Sequence, residues 1–271
     1  MTNRIALFLL CLTLILCSCG HNGGGRGERA KHTITVAGST SVMPFTEKLA
    51  EHFMLDHRNF VIDVQGGGST AGIQAIMNNT VSIGMSSRDL DDKEKMLNTI
   101  TICHDGIAII VNPQNPVRSL TLQQIRDIFS GKIRDWKELG GIDREVDAVT
   151  REEGSGTRSA FEELVMKGKA IDDSIMVQDS NGSVKEVVAT DPYAMGYISL
   201  GLVDQKVRSV IVDDVAPSIK NIKTGRYKIV RPFLYVTNGE LDPYAKEFVN
   251  FVLSKDGQNI LIKEGLVSLY D

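Results

Sequence analysis

The apolar positions of the chain switch repeatedly between a strand period and a helix period. Residues 32–37 (HTITVA) alternate apolar and polar side chains, whereas the apolar residues at 42–53 recur at helical spacing. Further strand-like segments follow at 60–64 (FVIDV), 81–85 (VSIGM) and 147–150 (DAVT), and the first and last of these precede new helical patterns. Strands that alternate with helices in this way are typical of α/β proteins, so the sequence predicts an α/β fold.

The connections that follow these strands are rich in Gly, Ser and Thr. In chain order they read GSTSVMPF, QGGGSTAG, SSRDL and REEGSGTRS. Such connections gather at the carboxyl ends of the strands in α/β sheets, where ligands bind, and helix starts offer unpaired N–H groups to anions. They therefore predict an anion site. In the last connection an ordinary N-cap is an equal alternative, with Ser155 or Thr157 satisfying its own helix.

The N-terminal segment has the pattern of an export signal. Arg4 precedes an apolar run at 5–16 and then small residues. That run is shorter than the roughly 20 residues a membrane-spanning helix needs. The end of the segment resembles a bacterial lipobox, in which the signal is cut before a cysteine that then carries lipid. We predict a signal peptide at 1–18 and, at 19–32, a lipidated Cys19 with a flexible Gly-rich tether, which together place the protein at the outer surface of a membrane.

Cysteine usage and charge narrow the possibilities further. Cys11 and Cys17 would leave with the signal and Cys19 would carry lipid, so Cys103 remains alone, and we expect it to be a small buried hydrophobic residue. The formal net charge of -4 provides no basic field for nucleic acid. The chain of 271 residues is long enough, after its signal, for two lobes.

Motifs of phosphate-processing and hydrolytic enzymes are incomplete in this sequence. Neither GSGTRS nor GGGSTAG supplies the lysine of a nucleotide-binding loop. The hydrolase motif G-x-S-x-G fails at Ser69, where Ala71 holds the last position, and at Ser155, where Glu153 holds the first. The 5 histidines show no metal-ligand spacing. We therefore expect a binding protein without catalytic residues, metal or cofactor.

After the tether, the sequence strongly resembles the PstS family, the phosphate-binding proteins of phosphate ABC importers. The resemblance rests on AGSTSVMP, QGGGSTAGI, IGMSSRDL, HDGIAIIVNP, LTLQQIRDIFSGKIRDWKELGG, REEGSGTRSAFEE and DPYAMGYISLG, which occur in the family's order. It implies a two-lobed periplasmic-binding-protein fold of type II, with a ligand cleft between lobes joined by two crossing strands. It also implies high-affinity binding of inorganic phosphate outside the cytoplasmic membrane, by a monomer that delivers the ion to ABC transporter permease subunits.

The resemblance also implies which residues bind phosphate. Matched to the family's motifs, the ligand-binding residues are Ser39, Thr40 and Ser41 in the first loop, Ser69 in the second, Ser87 in the third, and Arg151, Ser155, Gly156 and Thr157 in the fourth. Arg151 would supply charge and the others N–H or hydroxyl donors. Glu153 falls where relatives carry an acid that holds this arginine, and Arg88 and Asp89 would support the third loop.

One position departs from the family's common pattern. Many relatives have an aspartate in the third loop, in G-A-S-D, that accepts the proton of bound phosphate, whereas this chain continues with Ser87 and Arg88. Asp89, Asp105 and Glu153 are candidates for that acceptor, and Asp89 is favoured because it adjoins the loop. Another oxyanion as ligand (sulfate, molybdate or tungstate) and a phosphatase-like enzyme on this scaffold remain alternatives.

The position of the lobes follows from the expected crossings. Extended segments beside prolines at 109–113 and 230–235 are the expected crossing strands. We predict lobe I at 33–111 with 232–271, and lobe II at 112–231. The helix-like LTLQQIRDIF and Trp136 then fall in lobe II, where we expect them to pack in the core.

Overall fold

The computed structural model describes residues 31–270, in which strands and helices alternate. The strands are β1 His32–Gly38, β2 Phe60–Gly66, β3 Ile83–Ser86, β4 Asn98–Val111, β5 Ser119–Leu120, β6 Asp147–Arg151, β7 Met176–Gln178, β8 Ala194–Ser199, β9 Arg208–Ser209, β10 Ile211–Val212 and β11 Val230–Thr237. The helices are α1 Met43–Asp56, α2 Ser69–Met77, α3 Leu122–Phe129, α4 Gly156–Phe161, α5 Asn181–Thr190, α6 Ile219–Lys223, α7 Pro243–Leu253 and α8 Lys255–Lys263. The predicted α/β class is confirmed. The predicted signal, Cys19 and nearly all of the tether lie outside the described residues.

Most strands belong to one mixed sheet. Its nine strands follow the order β2-β1-β3-β11-β4-β8-β6-β7, with β9 paired to β4. Strands β1, β2 and β3 are mutually parallel, as are β6, β7 and β8, whereas β11 and β4 run antiparallel to their neighbours. The carboxyl ends within each parallel set therefore lie at one edge of the sheet, where the polar connections begin.

Two hydrophobic clusters flank the middle of the sheet. The first core draws its buried residues from positions 34–103 and 233–266, with Phe45, Phe53 and Tyr235 among the largest. The second core draws them from positions 107–229 and Val267, and Trp136 is buried in it as predicted. Residues 31–270 form one compact unit by their internal contacts. The division into two lobes stays a prediction.

Strands β4 and β11 connect the two cores. β4 pairs with β11 as far as Gly106 and with β8 from Ile107 onward, so it passes from one core to the other at that point. This exchange lies ahead of the segment 109–113 in which we expected the crossing. Pairing with β8 and β9 continues the strand through Val111, because residues 107–111 are all apolar and fully buried.

A local sequence signal accounts for the start of α3. Thr121 caps α3 by accepting a hydrogen bond from the Gln124 backbone N–H, and the Gln124 side chain accepts from the Thr121 N–H in return.

Cys103 is buried in the first core as expected, and burial raises the pKa of its thiol well above the ordinary value. Within residues 31–270, no helix has the length and apolarity needed to cross a membrane.

Candidate functional site

Polar residues from both cores converge at the carboxyl ends of the strands. The first core contributes residues 39–41 after β1, Ser69 at the start of α2 and Ser87 after β3. The second contributes Arg151 at the end of β6 and residues 155–157 at the start of α4. Except for Thr40, which is half-buried, these residues are buried. A buried hydroxyl is costly unless it is hydrogen-bonded, so the pairing within this group determines its chemistry.

The serine hydroxyls of the first core form a compact group. Ser39 Oγ donates to Ser87 Oγ at 2.8 Å, and Ser69 Oγ lies 3.4 Å from the same oxygen. The Ser87 backbone N–H donates to Ser69 Oγ at 3.1 Å. Gly156 packs against this group, because a Cβ atom there would come within 2.6 Å of Ser87 Oγ. Glycine is thus the residue that lets the fourth loop approach the serines.

Two further contacts join the first loop to the fourth. Ser41 Oγ and Thr157 Oγ1 share a hydrogen bond of 2.6 Å, and Arg151 Nη2 donates to Thr40 Oγ1 at 3.1 Å. Ser155 Oγ accepts from the Arg158 backbone N–H at 3.2 Å and caps its own helix, while its hydroxyl hydrogen has no acceptor in the part of the chain that the structure describes. The N-cap interpretation of this serine is therefore correct, and it leaves the hydroxyl able to donate to a ligand.

Arg151 is the charged centre of the group. Its guanidinium is almost fully buried, and Nε donates to Glu152 and to the Gln178 carbonyl oxygen. Nη2 donates to Glu152, to the Asp179 carbonyl oxygen and to Thr40. Nη1 is also buried and has no hydrogen-bond partner among residues 31–270. A guanidinium offers five N–H donors, so the structure leaves those of one nitrogen for an acceptor from outside the chain.

Tyr197 fixes the backbone from which Arg151 extends. Its hydroxyl shares a 2.6 Å hydrogen bond with Thr150 Oγ1 and accepts from the Arg151 backbone N–H at 3.3 Å. Its ring stacks on Phe161 with centroids 4.0 Å apart, so the end of β6 is tied to the helix that follows it. Burial raises the pKa of Tyr197 to about 12, which keeps the phenol neutral.

The acid that holds Arg151 is Glu152, so the prediction of Glu153 is wrong. The Glu152 carboxylate accepts from Arg151 Nη2 at 2.9 Å and from Nε at 3.0 Å. The chain turns at this point, because the Ser155 N–H donates to the Glu152 carbonyl oxygen, and Glu153 lies exposed within the turn. The Glu152 N–H also donates to the Gln178 carbonyl oxygen, which keeps this residue beside the arginine.

The structure also contradicts the choice of Asp89 as the acid that faces a ligand. Asp89 is exposed, and its carboxylate has no hydrogen bond or ion pair within the described part of the chain. The neighbouring Arg88 turns inward instead and donates to both carboxylate oxygens of Glu94, at 2.7 and 2.9 Å. Arg88 Nη2 also donates to Thr70 Oγ1 at 3.4 Å, so this side chain connects the third loop to the second.

Asn181 belongs to the group and was missed by the sequence analysis. Its amide nitrogen donates to Ser41 Oγ at 2.8 Å, and its side-chain oxygen accepts from the Ser199 N–H at 3.2 Å. It opens α5 after Ser180, which caps that helix by accepting from the Ser183 N–H. The sequence signal was the strand-to-helix turn at residues 176–183 (MVQDSNGS), which repeats the construction of the other loops.

A second buried charge pair lies beneath the group. Arg231 Nη2 donates to Asp105 Oδ2 at 3.0 Å, and Arg231 Nη1 donates to the Ser87 carbonyl oxygen at 3.4 Å. Burial raises the pKa of Asp105 and lowers that of Arg231, while each partner opposes the shift of the other. Both oxygens of Asp105 are engaged, because Ser199 Oγ donates to Oδ1 at 2.9 Å.

In the part of the chain that the structure describes, no group of three or more His, Cys, Asp or Glu is arranged to hold a metal.

Relatives of this chain are known from sequence and from structure. A family model described as the PBP superfamily domain matches residues 25–256. The phosphate-binding protein PstS of Bacillus subtilis is 33% identical over 99% of this chain and 95% of its own length. The PstS protein of Staphylococcus epidermidis strain RP62A is 31% identical over 92% of this chain and 84% of its own length.

Solved structures give the same relationship. A Clostridium perfringens structure, named for a phosphate ABC transporter substrate-binding protein with bound phosphate, has a TM-score of 0.86 and 42% identity, and the match covers 88% of this chain and 100% of that one. An ABC-type phosphate transport receptor from Vibrio cholerae has a TM-score of 0.72 and 36% identity over 86% of this chain and 99% of its own. The chain therefore has the predicted periplasmic-binding-protein fold and belongs to the PBP superfamily and, within it, to the PstS family of phosphate-binding proteins.

Proposed function

We propose that this chain binds inorganic phosphate with high affinity outside the cytoplasmic membrane, without turning it over, and delivers it to the permease subunits of an ABC transporter. The main support for the proposal is the buried Nη1 of Arg151, which has no hydrogen-bond partner among residues 31–270 and belongs to a side chain that contacts the hydroxyl-rich first loop through Thr40. A buried cationic donor without an acceptor is costly, so the arrangement favours an incoming oxyanion. The phosphate bound in the Clostridium perfringens relative supports the choice of anion.

Several loops are required because phosphate is small. The ion has five heavy atoms, and a ceiling of ~1.5 kcal/mol per atom allows ~7.5 kcal/mol, or about micromolar affinity. Charge-assisted hydrogen bonds at ~1.5 to 3 kcal/mol each raise this value only where many converge. We propose that the ligand-binding residues are Ser39, Thr40, Ser41, Ser69, Ser87, Arg151, Ser155, Gly156 and Thr157, and that Asn181 orients the first loop.

The proposed acceptor of the phosphate proton is Ser39. Its hydroxyl donates its one hydrogen to Ser87 Oγ and accepts from the Ser41 N–H at 3.2 Å. The remaining lone pair can only accept, which suits the P–OH group of phosphate and disfavours sulfate, an ion without a proton near neutral pH. Ser39 thus takes the role that we expected of Asp89, whose carboxylate is exposed.

We propose that the two cores belong to two lobes, with the first core in lobe I and most of the second core in lobe II. Lobe I would comprise 33–111 with 232–271 and lobe II 112–231, with the exchange of β4 at Ile107 near the first boundary. The hydrogen bond between Ser41 and Thr157 and the one that Arg151 donates to Thr40 would then form when the lobes close on the ion. We further propose that the exported protein works as a monomer anchored by a lipid on Cys19.

Calorimetry tests the ligand directly. Residues 20–271 are titrated with phosphate, sulfate and molybdate after unfolding and refolding have removed any bound ion. Phosphate should bind most tightly, and sulfate at least about tenfold more weakly at pH 7, because an unpaired lone-pair clash costs ~1 to 3 kcal/mol. Equal affinities for phosphate and sulfate, or tighter binding of molybdate, would contradict the assignment.

Substitution of Arg151 should weaken phosphate binding more than substitution of an uncharged donor. Arg151→Ala removes a charge and two free N–H groups, so we expect a loss of about tenfold to a hundredfold in affinity. Ser69→Ala removes one neutral hydroxyl and should cost about twofold to tenfold. Isothermal titration of the two variants gives the comparison, and an Arg151→Ala protein with parental affinity would show that the site is misplaced.

The acid beside Arg151 can be identified by its effect on stability. In phosphate-free protein, Glu152→Gln leaves a buried guanidinium without its carboxylate, which should lower the free energy of unfolding by about 1 to 3 kcal/mol. Glu153→Gln is the matched control and should change it by less than about 0.5 kcal/mol, because Glu153 is exposed. Urea unfolding measures both values, and the reverse order of the two effects would restore Glu153 as the partner.

The lipid anchor has its own test. Cys19→Ala should block lipid attachment and signal cleavage, so that the precursor keeps its uncut signal in the membrane fraction. Mass spectrometry of the parent protein from that fraction should find lipidated Cys19 at the N-terminus. A different N-terminus in that fraction is incompatible with the proposed anchor.

A further inference from the structure

A buried ion pair links the two strands that run between the cores. In the antiparallel register Arg231 of β11 lies opposite Asp105 of β4. The Arg231 side chain is 2% exposed and that of Asp105 is not exposed, and Nε and Nη2 of the arginine donate to one carboxylate oxygen at 3.2 and 3.0 Å. Strand β4 exchanges β11 for β8 two positions later, at Ile107. The pair therefore lies where the chain passes from the first core to the second.

On one side, this pair reaches the third loop. Arg231 Nη1 donates to the carbonyl oxygen of Ser87, whose hydroxyl belongs to the serine group of the anion site. The guanidinium also lies over the ring of Phe233, 5.2 Å from its centroid, so it is held against the first core. A change in the position of Arg231 would therefore move the backbone that carries the Ser87 hydroxyl.

On the other side, the pair reaches the first loop through the second core. Ser199, at the end of β8, donates its hydroxyl to Asp105 Oδ1 at 2.9 Å. The backbone N–H of Ser199 donates to the side-chain oxygen of Asn181, and the Asn181 amide nitrogen donates to Ser41 Oγ. Since Ser41 shares a hydrogen bond with Thr157, the same chain of contacts returns to the fourth loop.

The stability of the fold is a weak reason for such a pair. A buried ion pair loses much of its Coulombic gain to desolvation, and apolar residues of similar volume often stabilise a protein equally well or better. What apolar residues cannot provide is a set of directional hydrogen bonds to Ser87 and Ser199. These directional contacts join the strand exchange to loops from both cores.

We propose that Asp105 and Arg231 are positioning residues for the anion site, which set the relative placement of the first, third and fourth loops from the point of strand exchange. They act through Ser87, Ser199 and Asn181 rather than by contact with the ion. This inference rests on the proposed binding of phosphate. It predicts that the affinity for phosphate and the stability of the fold respond differently when the pair is replaced.

The test replaces both charges at once. Either single substitution leaves a buried charge without a partner, so the informative protein is the double variant Asp105→Leu/Arg231→Met, with circular dichroism and the melting temperature of the phosphate-free protein as measures of folding. We expect it to keep the parental fold and a melting temperature within about 5 °C of the parent, yet to bind phosphate about tenfold or more weakly by calorimetry.

Two further variants keep the test decisive if the double variant folds poorly. Ser199→Ala removes only the hydroxyl bond to Asp105 and should weaken phosphate binding about threefold or more. Asn112→Ala is the matched control, because this buried amide donates to the Val188 and Ala189 carbonyl oxygens and lies outside the chain of contacts. It should lower the melting temperature and leave the phosphate affinity within about twofold of the parent.

The outcomes separate the two proposals. Parental phosphate affinity in a folded double variant, or in Ser199→Ala, would overturn the positioning role while leaving phosphate binding intact. An Asn112→Ala loss as large as that of Ser199→Ala would also overturn it, since affinity would then follow stability alone. A parent protein that does not bind phosphate would instead contradict the proposed function, and the positioning role with it.

Discussion

The structure depends most on the burial of one guanidinium. Arg151 is 1% exposed, and its cost of burial is met by Glu152, by two carbonyl oxygens and by a threonine of the other core. These partners satisfy Nε and Nη2, whereas Nη1 has no hydrogen-bond partner within the described residues. The same contacts that hold the charge in place therefore also fix the position of Nη1, and the contact with Thr40 keeps the guanidinium beside the first loop.

Strand order explains how residues distant in sequence meet there. The two parallel sets run in opposite directions, and β4 pairs with β11 as far as Gly106 and with β8 from Ile107 onward, so the carboxyl ends of the two sets face each other where β4 changes partner. Loops from residues 39–41 and 151–157 can then approach closely enough for a 2.6 Å hydrogen bond. Gly156 permits this approach, since a larger residue would collide with the serines. The binding group is thus a consequence of sheet topology, with one glycine removing the steric barrier.

Local patterns in the sequence were sufficient for the fold class and for the loops. The strand and helix periods predicted the α/β class. The repeated Gly, Ser and Thr connections predicted the loops that supply the hydroxyls of the site, because both signals lie within short segments. Sequence could not decide between Glu152 and Glu153, since the choice depends on a tight turn closed by the Ser155 N–H. It also favoured Asp89 from adjacency alone, whereas the inward turn of Arg88 leaves that acid exposed. Pairs such as Asp105 with Arg231 are separated by more than a hundred residues and need strand register to be found.

The most direct test is a crystal structure of residues 20–271 grown with phosphate. We predict one phosphate between the two cores, with an oxygen about 2.7 to 2.9 Å from Arg151 Nη1, the usual length of a charge-assisted hydrogen bond. The oxygen with the proton should face Ser39 Oγ. Phosphate bound elsewhere would contradict this assignment, as would Nη1 hydrogen-bonded to a protein carbonyl oxygen with no ion beside the serine and threonine hydroxyls.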